Sequence, residues 1–348
     1  YQITSDKNKR QDPIYHYFYD IAGELSDVYS LISPARFLFN AGLTPTDWNE
    51  KMLNDPYVEV KYYTPNATDC FPNTDIKGGV AILMRNAKVK HAPIGKFVPN
   101  EQLRKIASRF DPTSNNNLTS IMYGGRSDLK FNDTFIADYP QSIKDRLSFI
   151  QKKRPTVLKL GPNEEYELKS STFEAIPYAF KDSVDNPSNY YHILGLQSSK
   201  RVWKYVEKKY LSPRYPENNN LNKYKVFVPE ANGNGIFGEV LTKSEIGHPN
   251  DSSVATFISI GAFNTVEEAI NCATYIKTKF ARCLLGILKI TQHTPPAIWA
   301  YIPLQNFTAI SDIDWTQSIA NIDRQLYKKY HLSEDEINFI ENTVKPMD

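Results

Sequence analysis

The sequence has 348 residues, above the usual size of one domain, so two domains are expected. Its 41 Lys and Arg against 39 Asp and Glu leave a formal charge of +2, so any nucleic-acid face must be a local cluster offset by acid elsewhere. Cys70, Cys272 and Cys283 share no metal-ligand spacing and are odd in number, which points to a reducing, cytoplasmic setting; no apolar run reaches membrane-span length and no signal peptide opens the chain.

In chain order, residues 12–25 predict a helix with Pro13 in its first turn. Tyr29 to Phe39 starts as a short buried strand and breaks at Ser33-Pro34. Residues 46–53 predict a helix capped by Thr46, and Val58 to Tyr63 alternates as a strand does. Phe71 to Asp75 is a tight loop, because Pro72 fixes its own φ and Asn73 and Asp75 bond readily to nearby backbone. Val80 to Met84 is apolar throughout, the pattern of a strand buried on both faces. Gly78 and Gly79 stand at its mouth, where another backbone or a flat ligand comes close. Strand mouths are where open α/β sheets bind ligands.

Composition loosens from Lys90 to Asp111, around a short helix at 101–108, and the domain boundary is placed near residue 100. Strands and loops are expected from 120 to 183, then a strand at 190–196. Ser198 to Tyr210 predicts a basic helix with a serine N-cap. Strands follow at 223–229 and 256–261, separated by the glycine loop 230–239. One long helix is predicted over 265–289, opened by Thr265 with Glu268, its buried face carrying Ile270, Ala273, Ile276, Phe280, Leu284 and Ile287. A short strand at 299–304 and helices at 314–329 and 333–345 close the chain, the last capped by Ser333 with Glu336.

The loop 231–235 lacks the lysine and following helix of a phosphate loop, so it reads as a turn, or as a turn whose Asn232 and Asn234 let backbone approach DNA. Lys200, Arg201 and Lys204 form either a solvated face or a phosphate and guanine contact. Lys277, Lys279 and Arg282 could line a phosphate-facing edge. There is no Ser-His-Asp arrangement and no metal spacing.

The stretch from Cys70 to Arg85 resembles the end of the catalytic domain of restriction–modification N6-adenine DNA methyltransferases. There an aromatic before the penultimate strands packs on the flipped target base, and Phe71 is the matching position. The family motif Asn-Pro-Pro-Tyr-Gln places its tyrosine at Tyr1 and its glutamine at Gln2. Phe257 to Gly261, Tyr275 to Arg282, Asp312 to Trp315 and Asp323 to Tyr330 look like the family's C-terminal target-recognition region.

The resemblance implies an α/β then α+β chain. Residues 1–100 would be the last part of a Rossmann-like methyltransferase sheet, and 101–348 a mixed target-recognition domain ending in helices. It implies double-stranded DNA as partner and S-adenosylmethionine as the cofactor of a longer protein. The start at Tyr1-Gln2 suggests a fragment without the cofactor loop, which binds DNA but does not methylate alone. Two alternatives stay open: a specificity module docking a separate methylase or restriction subunit, and part of a fused restriction–methylation enzyme.

Overall fold

The computed structural model describes residues 2–4, 11–74, 76–98 and 100–347, in two units, Tyr1–Ile106 and Ala107–Asp348. Tyr1 and Asp75 lie outside the described residues. The architecture is mixed α/β, with several antiparallel sheets and ten α-helices among the described residues.

In the first unit, β1 (Gln2–Thr4) pairs antiparallel with β2 (Gln11–Pro13). Helix α1 (Tyr15–Leu25) begins after Pro13, so that proline ends a strand and does not open the helix. β3 (Val28–Pro34), α2 (Thr46–Asn54), β4 (Val58–Thr64), β5 (Val80–Asn86) and α3 (Glu101–Ala107) follow. Pro45, not Thr46, holds the N-cap of α2, with no side-chain bond to its amides; Thr44 Oγ1 donates to Asn49 Oδ1 instead, at 2.7 Å.

β5 is the centre of the sheet β3-β5-β4 and runs antiparallel to both neighbours, so β3 and β4 are parallel. One face of this sheet is closed by Tyr15, Tyr19, Phe37, Trp48, Met52 and Leu53, which pack with Val58, Ala81 and Leu83. The Phe37 and Trp48 rings meet at 5.2 Å, edge to face, a geometry that favours aromatic pairs. Much of the aromatic content here is therefore core. On β4 the register slips between Val60 and Tyr62, and the extra residue Lys61 lets Val60 and Tyr63 both join the core side while Tyr62 turns outward.

The other face stays open. Val28, Ile32 and Tyr62 are 43%, 45% and 43% exposed, and Ile82 and Met84 are half-buried. Burial of β5 on both faces therefore holds for Val80 and Ala81 but not beyond, because Ile82 and Met84 on its second face are only partly covered by the described residues.

The second unit holds β6 (Met122–Tyr123), β7 (Leu129–Phe131), α4 (Asp133–Asp138), α5 (Gln141–Lys153), α6 (Thr172–Ala175), β8 (Tyr190–Gln197) and β9 (Lys200–Glu207). Then come β10 (Leu211–Pro213), β11 (Tyr224–Pro229), β12 (Glu245–Gly247), β13 (Asp251–Ser253) and β14 (Phe257–Phe263). Helices α7 (Val266–Lys277), α8 (Lys279–Gly286), α9 (Ile319–Lys329) and α10 (Glu334–Thr343) close it. The strands form sheets in the orders β12-β11-β14-β6, β13-β8-β9 and β10-β7. One core of this unit joins Phe131, Phe135, Phe173, Ile193, Leu194, Val206 and Phe227.

Six expectations change here. The basic segment after Ser198 is no helix but strand β9, paired with β8 from Tyr190↔Glu207 to Gln197↔Lys200. Ser198 and Ser199 both take positive φ, 49° and 63°, and make the two-residue hairpin turn. The stretch 120–183 contains helix α5, which turns Ser142 and Arg146 inward and leaves Ile143 41% exposed, so its apolar pattern misleads.

The long helix 265–289 breaks at Thr278, whose ψ of 149° is extended. Thr278 Oγ1 accepts from Ala281 N, and buried Asp323 of α9 accepts from the N–H groups of Lys279 and Phe280 at 3.0 and 2.8 Å, capping α8. Ile270 is 47% exposed and leaves the expected buried face, which otherwise holds. Residues 299–304 make no strand: Pro296–Trp299 is a 3-10 turn with Trp299 fully buried, its Nε1 donating to Thr294 O. Helix α9 starts at Ile319, capped by Ser318, and α10 carries the full Ser333–Glu336 capping box.

Candidate functional site

The Phe71 loop is built by short-range bonds. Thr64 Oγ1, at the end of β4, donates to Asp69 Oδ2, and Asn66 caps the turn Ala67–Asp69 by accepting from Thr68 N. Phe71 N donates to Ala67 O at 2.9 Å and Phe71 O accepts from Thr74 N. Asn73 takes a φ of 64°, which its side chain tolerates. The ring of Phe71 is left 40% exposed on a backbone anchored on both sides. Tyr62 on β4, a second exposed ring, lies beside Cys70; its outward turn depends on the β-bulge, which no alternation pattern shows.

Gly78 and Gly79, at φ 86° and 78°, are both crowded, Gly79 by the backbone of Thr64 and Pro65 and Gly78 by the Arg36 side chain. A Cβ on Gly79 would come within 2.0 Å of Thr64 O, and one on Gly78 within 2.6 Å of Arg36 Cγ. Of the two expectations for this pair, a second chain segment is what comes close. Gly79 O also accepts from Ala35 N.

The loop 231–239 is wound around its own acid. Glu239 accepts from Asn234 N at 2.7 Å, Gly235 N at 2.9 Å and Lys289 Nζ. Burial works against the charge, yet those hydrogen bonds and the lysine outweigh it and hold the Glu239 carboxyl below its ordinary pKa. The space beside Gly233, where a Cβ would meet the Glu239 carboxylate at 2.3 Å, is already filled. At these two places the loop's own Glu239 and the backbone of Thr64 occupy the space beside the glycines.

The residues considered for DNA contact fall into two groups. Asn232 is 2% exposed and accepts from Thr242 N and Oγ1. Arg201 Nη1 donates to Lys243 O and faces Glu245, and Lys204 is paired with Asp182 at 2.6 Å. Lys279 is paired with Glu341 at 2.5 Å. Arg282 is 2% exposed and stitches three carbonyls, those of Lys277, Glu239 and Lys345; burial lowers its pKa. Lys200, Asn234 and Lys277 keep side chains without a partner among the described residues, but sit in a hairpin, a loop and a helix end that are not neighbours in sequence.

No group of His, Cys, Asp and Glu among the described residues could hold a metal ion, and no described helix is long and apolar enough to cross a membrane. Comparison with curated proteins finds no match for the chain. Residues 1–71 match the family model of the Eco57I restriction-modification methylase, a match that supports a restriction–modification methylase and reaches the loop carrying Phe71.

Proposed function

We propose that the chain is part of an N6-adenine DNA methyltransferase of a restriction–modification system, with the first unit from its catalytic domain and the second its target-recognition domain. The observation that carries this is the family match over residues 1–71, whose last residue is the exposed, anchored Phe71 at the mouth of the β3-β5-β4 sheet. The open apolar face of that sheet, with Ile32 and Tyr62 half-exposed, supports it, because sheets of α/β catalytic domains are covered on both faces.

In this reading the target adenine leaves the duplex and stacks on Phe71, with Tyr1 as the second aromatic. The aromatic faces replace stacking lost from the helix, worth about 1–3 kcal/mol per base. S-adenosylmethionine supplies the methyl group in the full protein, from residues other than those described. Lys200, Asn234 and Lys277 are the DNA contacts this reading retains, and Arg201, Lys204, Asn232, Lys279 and Arg282 hold the recognition unit together. The protein works in the cytoplasm, on double-stranded DNA. Selection of bound sequences from random duplexes tests it: one enriched motif is expected, and its loss in the Phe71→Ala variant by about 5- to 150-fold in affinity would locate the base contact.

A further inference from the structure

Between Asp145 and Glu164 the chain carries Arg146, Lys152, Lys153, Arg154 and Lys159 and no acid, against a net charge of +2 for the whole sequence. Arg146 is buried, but Lys152, Lys153, Arg154 and Lys159 are exposed. None of these four side chains is ion-paired or hydrogen-bonded to an acid among the described residues; Lys152 lies 5.5 Å from the centre of the Phe149 ring. Glu164, which feels the charge of Arg154, gives its oxygens to Lys169 Nζ and Gly161 N. A helix C-terminus attracts cations, which accounts for Lys152 and Lys153 in the last turn of α5. Lys159 stands well past that end, where the helix dipole no longer acts.

The loop that carries these cations is fixed. Arg154 N donates to Ile150 O at 3.0 Å, Val157 N to Arg154 O at 3.1 Å, and Gln151 Nε2 to Val157 O at 2.8 Å. Pro155 sets its own φ, and Glu164 holds Gly161 N at the far end. On this pinned turn Leu158 is 83% exposed, between Arg154 and Lys159 in the chain. A lone exposed leucine is ordinary on a protein surface. A leucine held out on a fixed turn among unpaired cations matches the apolar wedges that enter the minor groove of DNA beside Arg and Lys.

We propose that loop 152–159 is a minor-groove contact for duplex DNA, with its cations on the phosphates of both walls and Leu158 entering between them; this rests on the DNA-binding reading above. The major groove, about 12 Å wide, takes a helix or a two-stranded ribbon, whereas a single loop suits the minor groove, about 6 Å wide. Arg154 and Lys159 are five residues apart, a span of at most roughly 17 Å, enough to put a cation on each wall. An anionic membrane would attract the same cations but needs a broad apolar face, which one leucine does not make.

Fluorescence anisotropy of a labelled duplex, titrated with the 348-residue chain at several salt concentrations, tests this. The double variant Lys153→Gln with Arg154→Gln should lower the slope of log affinity against log salt by about 1.8, from two phosphate contacts at about 0.9 each. Leu158→Asn should weaken binding about tenfold at an unchanged slope. Urea midpoints equal to that of the natural chain are expected for both variants, since all three side chains are exposed. Netropsin, which fills the minor groove, should weaken binding of the natural chain, and this arm decides alone if a variant does not fold. Unchanged slope and affinity in folded variants, or binding indifferent to netropsin, overturns the proposal and leaves the DNA reading standing. Failure of the natural chain to bind any duplex overturns both, and its capture by phosphatidylserine vesicles instead would assign the loop to a membrane surface.

Discussion

Glu239→Ala should cost the second unit about 3–5 kcal/mol. The substitution removes the acceptor of two loop amides, Asn234 N and Gly235 N, and of Lys289, whose side chain is 4% exposed. The buried ammonium, left with only the Thr291 carbonyl at 3.3 Å and no counter-charge, dominates, since breaking a buried pair by deleting one partner typically costs about 3–5 kcal/mol. The double variant Glu239→Ala with Lys289→Met leaves no buried charge and should regain about 1–3 kcal/mol of that loss. Urea unfolding followed by tryptophan fluorescence reads both, since Trp203, Trp299 and Trp315 all lie in this unit. The pH dependence has a definite sign. The folded-state pKa of Glu239 is depressed below 4.5, so its stabilisation is full above that value and is lost as pH falls through the folded pKa. A loss under about 1 kcal/mol, with DNA affinity falling instead, would refute the reasoning and favour the loop as a turn whose backbone approaches DNA.

Three further outcomes are expected. Phe71→Ala should leave stability within about 1 kcal/mol, because the ring is 40% exposed, while DNA affinity falls; a collapse in stability would make the ring structural. Replacing Ser198-Ser199 by Asn-Gly should stabilise the second unit by roughly 0.5–1 kcal/mol, since both positions have positive φ, whereas a helix there would be weakened. Burial pushes the Asp323 carboxyl up to about 6, against the N–H groups it caps, so its contribution is full below pH 3.8 and is lost as pH rises through about 6. Carboxyl NMR should show its midpoint near 6; a midpoint under 4 contradicts the cause assigned.

What was legible in the sequence follows from how local each signal is. Alternation marked β4, an apolar run marked β5, and Ser333 with Glu336 marked the start of α10, because those patterns are decided within a few residues. Ser198 to Tyr210 misled because charge suggested a helix, whereas Val202, Trp203, Tyr205 and Val206 are β-branched or aromatic and pack on a paired strand. The break at Thr278 depends on Asp323, which lies 45 residues away, and no local pattern reports it. Helix α5 buries Ser142 and Arg146, so its inward face has no hydrophobic signature. At the candidate site, Phe71 and its loop were legible from Pro72, Asn73 and the glycine pair. The pairing of the cations was not, since a cation's partner is set by folding: Arg201, Lys204 and Lys279 meet acids or carbonyls that are distant in sequence.

Selection from a random duplex pool by the 348-residue chain, at low and then physiological salt, tests the central proposal most directly. One enriched motif that survives the higher salt is predicted, since base readout persists when counterion release no longer favours phosphate contacts. Weak binding blind to sequence, lost as salt rises, would contradict target recognition by these residues.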